Sequence, residues 1–587
     1  MMKRIYSILL IFCMSPVCCA GDLPAVGPKE ERPAVSPNGV HVTSVGELNR
    51  NSAINSHMFE TGNSRLELDR RTLVKLGNDE LKRPLIAYPR VKKLHNGRFM
   101  LMYQGTRIGA DIFWALSDDG MKWEYKGKVF ERRPTVNGGG EQDDLRYSSA
   151  DAIVLRNGDI LAISPFRCNK GYYDYASTNG ISVRRSTDNG ETWGEEEIVF
   201  IGTNWEPSAL QLPSGEIHVY FTDNDPTWRV HDSGTSLLRS LDNGHTWESQ
   251  CHIIRQYRTE TSLKKDPTVT ARVYTDQMPV SCLLNGTNKT ITALESMDAD
   301  DKYFISLAWN DDNWAHTLVG DDVGPAERQN NAFDGCAPYI AQFPSGETVL
   351  AYNIRSFFMR IGDAQGKNFA EVEPFEPFGT VVGYWGAIEM LDSHTVMATV
   401  PDGTGCDSKT RPVLVGRLRL NHRIDAPFAA VEVDGDNADW ADNTDALFIG
   451  SESQAQVTFR FAYDEDNVYL LAECLDRDIT VWDKLTVMFG NGKSADKAFR
   501  ATVSVGKNGL SVDRKGIAFK YTVIGTLNDQ SDEDEGYVLE MAIPKKMLAI
   551  EGGRLFFNAD LVDDGLHDGF TGVTEQNAEG WMPVVLK

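Results

Sequence analysis

Apolar and polar positions alternate along most of the chain, in short bursts closed by tight turns. Phe99-Met-Leu-Met-Tyr103, Ile160-Leu-Ala-Ile163, Ile217-His-Val-Tyr-Phe221 and Val349-Leu-Ala-Tyr352 read as strands, each just after a polar turn. The turns are Leu94-His-Asn-Gly97, Leu155-Arg-Asn-Gly158, Leu212-Pro-Ser-Gly215, Leu284-Asn-Gly286, Phe343-Pro-Ser-Gly346 and, lacking the glycine, Leu391-Asp-Ser-His394. Glycine supplies the positive φ that such hairpins require. Their starts are 61, 57, 72, 59 and 48 residues apart. A four-stranded propeller blade takes about 40–50 residues plus its loops, so six hairpins at this period predict six blades.

A second repeat runs in register with the first. Ser186-Thr-Asp188-Asn-Gly190-Glu-Thr-Trp193 and Ser240-Leu-Asp242-Asn-Gly244-His-Thr-Trp247 share the pattern S-x-D-x-G-x-x-W, and Leu116-Ser-Asp118-Asp-Gly120-Met-Lys-Trp123 keeps Asp, Gly and Trp at the same offsets. The aspartate caps turn amides, the glycine takes the left-handed position and the tryptophan packs back on the turn. These motifs resemble the Asp-boxes of sialidase-superfamily propellers. The resemblance places them on the periphery, away from the axis and its chemistry.

The texture changes after Leu420. Val433-Asp-Gly435-Asp-Asn-Ala-Asp-Trp440 opens a segment of short alternating strands: Val457–Tyr463, Val468–Ala472, Leu485–Phe489 and Gly536–Pro544. This predicts a β-sandwich. The motif order (D-G-x-x-x-x-W, then Asp464 before V-Y-L, then G-Y-x-x-E-x-x-I-P) is similar to family 9 carbohydrate-binding modules. The fold expected is all-β, a six-bladed β-propeller followed by a β-sandwich domain. Its parts are a signal peptide at 1–20, a Pro/Gly/Asn/Ser-rich lead-in at 21–60, the propeller at 61–422 and the module at 423–587.

Charge narrows the partners. Lys+Arg total 59 against 84 for Asp+Glu, a net charge of −25, which repels nucleic acid and anionic membranes. Lys3, Arg4 and the apolar run Ile5–Met14, with Cys18 and Ala20 before a cut at Gly21, predict export to the periplasm or beyond. Cys18 and Cys19 offer thiols for lipid anchoring, although Ser-Pro-Val before them matches a lipobox poorly. No run of about 20 apolar residues predicts a membrane span. The six cysteines beyond the leader are scattered and indicate neither a zinc site nor a dense disulfide framework. Nothing in the sequence fixes the oligomeric state.

In a propeller the axial residues sit at the first strand of each blade. Tyr88-Pro89-Arg90 there resembles the arginine-bearing motif of sialidase-like enzymes, in which Arg90 would grip substrate. Arg107 and Asp111 follow the first hairpin, Asp111 roughly where sialidases carry an acid/base aspartate. Asp144 and Asp151 flank blade 2 as supporting candidates. Trp205-Glu206-Pro207 precedes the blade 3 hairpin, and a ring beside a carboxyl both stacks on a sugar and raises the carboxyl pKa. Glu295 closes an apolar inner strand in Ile291-Thr-Ala-Leu-Glu295, and Gly383-Tyr384-Trp385-Gly386 leads into blade 6. Glycoside hydrolysis usually takes a carboxyl pair, which Glu206 and Glu295 provide, with Tyr384 as a third polar group.

The set W-E-P, D-x-M-P, a strand-end Glu, Ala337-Pro-Tyr339 and Y-W-G resembles glycoside hydrolase family 93, exo-acting α-L-arabinanases on the same propeller. The resemblance covers about residues 80–400. It implies Glu206 and Glu295 as the catalytic pair, with Glu206 as nucleophile and Glu295 as acid/base the favoured order. Arg90, Glu295, Arg355 and Tyr384 would also fill four sialidase positions. The second arginine of the carboxylate-binding set is missing, because Trp309-Asn-Asp-Asp312 stands in its place. A non-catalytic glycan-binding surface protein is the third reading. In the module, Trp482 and Trp581 are candidate sugar-stacking residues, and Asp434, Asp436 and Asp560 candidate ligands of a structural calcium. No cofactor is required for the proposed chemistry.

Overall fold

The computed structural model describes residues 39–51, 63–224, 233–255, 258–263, 266–273, 276–298, 302–319, 327–371 and 373–587. The expected signal peptide and its cysteines lie outside these residues, as do Tyr274 and Thr275.

The fold is a six-bladed β-propeller followed by a β-sandwich. Blade 1 is the four-stranded meander Ala87–Lys93, Phe99–Gln104, Ile112–Ser117 and Glu124–Phe130. The innermost strands of blades 2 to 6 are Asp151–Val154, Asn204–Gln211, Gln277–Leu283, Cys336–Gln342 and Ala387–Met390. Blade 6 takes its outer strand from the other end of the domain. Arg65–Leu76 pairs antiparallel with Val413–Asn421 and closes the ring. Blade 5 has three regular strands, and a bridge between Met359 and Phe375 extends it. The longest interval in the hairpin repeat, between blades 3 and 4, contains an additional two-stranded ribbon, Arg258–Leu263 with Asp266–Val273.

The Asp-box turns join the third and fourth strands of blades 1 to 3, at the end of the propeller opposite the starts of the innermost strands. In blade 2, Ser186 Oγ donates to Asp188 Oδ1 at 2.7 Å and accepts the Gly190 N–H at 2.9 Å, while Asp188 Oδ1 also accepts the Thr192 N–H. Blade 3 repeats this with Ser240, Asp242, Gly244 and Thr246. In blade 1 the capping residue is Asp119 rather than Asp118. Asp119 accepts from Ser117 Oγ and from the Met121 and Lys122 N–H groups, whereas Asp118 points out to Arg98. A degenerate fourth turn occurs in blade 4, where Asn310 and Asp312 play the capping parts and Trp314 stands where the glycine would be, at φ 61°. Its mismatched residues hid it from the sequence pattern.

The sandwich packs a sheet built on Met582–Leu586, Arg554–Asp563, Lys484–Gly490 and Phe499–Val505 against one built on Gln456–Tyr463, Asn467–Leu475, Gly536–Pro544 and Ala518–Ile524. Alternate residues of both meet in one core that includes Phe459, Phe461, Phe489, Phe557, Leu470 and Leu539. Trp581 is buried in a small separate cluster outside this core. It is 0% exposed, packs with Met488 and Ala578, and donates its indole N–H to the Thr574 carbonyl at 3.0 Å. It is therefore not a sugar-stacking surface, whereas Trp482 is 70% exposed. Asp434, Asp436 and Asp560 do not converge on a cation either. The first two cap neighbouring turn amides and Asp560 pairs with His567.

Residues 39–51 do not behave as a free lead-in. Val40 and Val42 are buried against Trp440 of the sandwich, and the Val42 and Thr43 amides donate to Glu535 and Glu473. The two domains share a polar seam along the closing strand. Asp69 accepts two bonds from Arg419 and one from Gln456 Nε2 of the sandwich. Glu67, fully buried, accepts from the Thr571 amide and from the Thr571 and Ser451 hydroxyls. Burial, opposed by these bonds and assisted by Asp568, pushes its carboxyl up to about 8, and burial pushes Asp568 up to about 6. An acid with a raised folded pKa contributes stability that is full below its ordinary pKa and is lost as pH rises through the folded one. Thermal unfolding midpoints should therefore fall from pH 5 to pH 8. Glu67→Gln should flatten that fall by on the order of 2 kcal/mol, and an unchanged pH dependence in Glu67→Gln would show that Glu67 does not titrate there.

Candidate active site

Each innermost strand is an edge strand whose free side faces the propeller axis, and each begins with a kink. Tyr88, Ser149, Glu206, Met278, Ala337 and Trp385, one per blade, have φ between 43° and 69°. In blades 1, 3, 4 and 5 the pairing register slips there, between Ala87 and Arg90, Trp205 and Ser208, Gln277 and Val280, and Cys336 and Tyr339. These are β-bulges, which bend a strand and re-aim its side chains. In the same four blades a proline follows the kinked residue, a position where a missing N–H costs the ladder nothing.

The six kinked residues meet around the axis. Tyr88 stacks on Trp385 with ring centroids 4.5 Å apart, and packs with Met278 and Ala337. Its hydroxyl donates to Glu206 Oε1 at 3.1 Å. Glu206 Oε2 accepts from the Thr222 hydroxyl at 3.2 Å, and Thr222 in turn accepts the Met278 N–H at 2.8 Å. The Glu206 N–H points at Ser149 Oγ, 3.4 Å away. Glu295, 6% exposed, accepts the Ala337 N–H at 2.8 Å on one oxygen and the Gln277 side-chain amide on the other. The structure thus brings Glu206 and Glu295 together. Burial, then the charge of Glu295, pushes the Glu206 carboxyl up to about 7, and burial also raises Glu295.

One layer further down the axis the site is sealed. Arg90, Lys92, Asp151 and Tyr339 form a buried polar plug, with Glu389 partly exposed at its edge. Lys92 donates to the Tyr339 hydroxyl at 2.9 Å, which donates to Asp151 Oδ2 at 3.0 Å. Lys92 lies 3.5 Å from both Asp151 and Glu389, and Arg90 3.9 Å from Asp151. Arg90 also donates to the Pro89 and Trp385 carbonyls. Arg90 is buried, its Nε 3.9 Å from Asp151 and without a hydrogen-bond partner among the described residues, and it holds the Trp385 backbone through the carbonyl.

The rim carries the remaining sequence candidates. Trp205 is partly exposed and stacks on Tyr172 at 5.7 Å, with Arg167 over the other ring. Tyr384 is half-buried beside Trp385, its phenol raised by burial and the nearby Cys336 thiol and lowered in part by Arg411 and Arg107. No hydrogen bond joins it to either glutamate among the described contacts. Arg107 and Arg355 are exposed, Arg355 in a two-stranded turn at φ 66°. Asp111, its side chain 14% exposed, accepts the Arg132 N–H at 2.8 Å and sits 3.5 Å from Lys128. Asp144 lies on the strand Gln142–Tyr147, its side chain partly exposed 3.6 Å from Arg146. A groove of about 320 Å³ between blades 3 and 4 lies at the Asp-box end, around Leu212, His218 and Trp314, and contains none of these residues.

Tyr88, Thr222, Gln277 and Tyr172 were not singled out by sequence. The recurrent X-Pro at the start of four innermost strands is the signal that marks the first. The others reach the site from second strands or loops, with no local pattern.

Six blades, Asp-box turns at one end and an axial carboxyl pair at the other define a sialidase-like propeller. No protein-family model matches the chain, and no curated protein matches it. Among solved structures, a Dyadobacter fermentans protein of unknown function aligns at 16% identity over 61% of this chain and 99% of its own, with a TM-score of 0.45. A Penicillium chrysogenum α-L-arabinanase complexed with arabinobiose aligns at 15% identity over 60% and 98%, TM-score 0.42. A family 93 α-L-arabinofuranosidase of Fusarium graminearum aligns at 16% over 61% and 97%, TM-score 0.41.

Because the Glu295 charge is the second cause of the raised Glu206 pKa, Glu295→Gln should lower it. It should remain above the ordinary carboxylate range, since burial is the larger cause. A carboxyl ¹³C titration checks this, and an unmoved Glu206 would show that the two groups do not interact.

Proposed function

We propose that the protein is an exported, exo-acting glycoside hydrolase that removes terminal sugars from a polysaccharide or glycan, with arabinan-type chain ends favoured. The observation that carries this is the pair Glu206 and Glu295, facing the axis together above a plugged channel. Two interacting carboxyls supply the acid and the carboxylate that glycosidic cleavage uses. The plug leaves a dead end beneath them, which suits a chain terminus rather than a chain passing through.

The hydrogen-bond partners distinguish the two roles. Glu206 is held by two hydroxyls, which accept as readily as they donate, so it keeps a proton without leaving a donor stranded. Glu295 is held by a backbone N–H and a side-chain amide N–H, which only donate and so favour the ionised form. Glu206 accordingly protonates the departing oxygen, and Glu295 stabilises the positive charge at the anomeric carbon. This reverses the order favoured by the motif resemblance. Trp205, Tyr384 and Trp385 provide aromatic faces for sugar rings, with Arg107 and Arg355 at the rim, and Trp482 provides one on the sandwich for a carbohydrate-binding role.

A sialidase reading is less well supported, because Arg90 is buried and donates to the Pro89 and Trp385 carbonyls, and among the described residues the hydrogen-bond partners of Glu295 are the Ala337 N–H and the Gln277 amide rather than arginines.

Hydrolysis of arabinan oligomers, sialosides and other glycans with product analysis tests the reading. Glu206→Gln should lose about 10²–10⁴-fold on natural chain ends and far less on aryl glycosides whose leaving group needs no proton. Glu295→Gln should lose activity on both. Full activity in both variants would sink the pair, and sugar binding without turnover in the parent would establish the non-catalytic reading.

A further inference from the structure

Outside the axial site, two histidines and an aspartate converge at the junction of the two domains. His394 ends the blade 6 hairpin turn, His422 follows the last propeller strand, and Asp445 precedes the sandwich strand Leu447–Ile449. The Nε2 atoms of His394 and His422 are 3.2 Å apart. Asp445 Oδ1 lies 3.5 Å from the first and 3.6 Å from the second. Both rings are buried, and the aspartate side chain is 21% exposed.

We propose that this triangle is a binding site for a divalent transition-metal ion, zinc foremost, which fastens the sandwich to the propeller. The geometry is the first argument. Zinc takes imidazole nitrogen and carboxylate oxygen at about 2.0–2.2 Å in a tetrahedron, whose ligand–ligand edges are then about 3.3–3.6 Å. The three observed edges, 3.2, 3.5 and 3.6 Å, fit that figure. One ion seated above the triangle reaches all three atoms without moving a backbone.

The surroundings are the second argument. Both histidines turn Nε2 inward and commit Nδ1 elsewhere. His422 Nδ1 faces Glu347 Oε1 at 3.3 Å, and His394 Nδ1 faces the Ser393 hydroxyl at 2.8 Å. Metal-bound histidines are held in this way, with the outer nitrogen donating to a carboxylate or another oxygen that fixes tautomer and ring angle. Glu347 is itself held, fully buried, by the hydroxyls of Ser64 and Ser345. Glu347 belongs to the blade 5 hairpin, so four separate segments build the site. The partly open side of Asp445 leaves the fourth position to water. Imidazole and carboxylate together suit zinc better than calcium or magnesium, which prefer all-oxygen shells.

The experiment uses the full-length protein stripped with chelator and titrated with Zn²⁺ alone, read by calorimetry and by metal content after gel filtration. One zinc per chain and a raised thermal midpoint are expected. His394→Gln and, separately, Asp445→Asn should each weaken binding by about 100-fold or more, and Glu347→Gln by about 10–100-fold, as loss of a supporting carboxylate does. Asp445→Asn keeps shape at a partly exposed edge and so remains informative if His394→Gln fails to fold. Asp483→Asn, in the acidic trio Asp476, Asp483 and Asp563, should leave the stoichiometry unchanged. Co²⁺ in place of zinc should give a tetrahedral visible spectrum that Asp445→Asn abolishes. Zinc uptake no greater than in Asp445→Asn, or uptake lost in Asp483→Asn instead, would overturn the proposal. Because none of these measurements uses glycan turnover, their outcome is separate from that of the hydrolase reading.

Discussion

The site depends on a single backbone constraint repeated six times: a non-glycine residue in the left-handed region at the start of each innermost strand. Each such residue costs on the order of 1–3 kcal/mol. The ring of blades bears that strain because each kink is locked by a neighbour. The Met278 amide is held by Thr222, the Trp385 amide by Asn353 and the Ser149 amide by Gln104. A straight edge strand would alternate its side chains between the faces of its blade. A kinked one turns a single side chain onto the axis, and six kinks at one level, four of them β-bulges, bring together Tyr88, Ser149, Glu206, Met278, Ala337 and Trp385 from sequence positions 297 residues apart at the extremes.

The same constraint makes the neighbouring layers possible. Two residues beyond the kinks, Arg90, Asp151 and Tyr339 fall on the axis together, and Lys92 joins them from the layer below. Lys92, the Tyr339 hydroxyl and Asp151 are paired and hydrogen-bonded, the condition for burying such groups at all, and the Arg90 guanidinium lies beside Asp151. The plug therefore both closes the channel and braces the floor under the carboxyls. The ring must itself be closed for any of this to hold, and Arg65–Leu76 does so from the far end of the domain. That strand also presents Glu67 and Asp69 to the sandwich, so ring closure and domain docking share the same residues.

Much of the architecture was legible in the chain because it repeats. The hairpin glycines and the Asp-boxes recur at a period that only a propeller explains, and alternating strands after Leu420 marked the sandwich. What did not repeat was missed. The blade 4 turn has Asn310 and Trp314 in place of Ser and Gly, and the closing strand pairs with residues some 350 positions away. Glu206 and Glu295 stood out because a carboxyl beside a tryptophan, or at the end of an apolar strand, requires explanation. Trp581 misled because an indole in a sandwich reads alike whether it faces a sugar or a core. The carboxylate beside Arg90 could not be read from its motif, because Asp151 comes from another blade.

The order of the two glutamates shows how far residue types alone can go. Both are acids withdrawn from solvent near aromatic rings, Glu295 buried and Glu206 half-buried, and a motif treats them as interchangeable in kind. Their difference lies in what holds them. Thr222 and Tyr88 carry hydroxyls that reverse direction when a carboxyl gains a proton, whereas the Ala337 amide cannot. Protonating Glu295 would leave a buried N–H facing a group less able to accept, at a cost of about 1–3 kcal/mol. Protonating Glu206 strands nothing. In the proposed mechanism the proton therefore rests on Glu206, a consequence of a hydroxyl on blade 1 and another on blade 3 meeting one carboxyl across the axis.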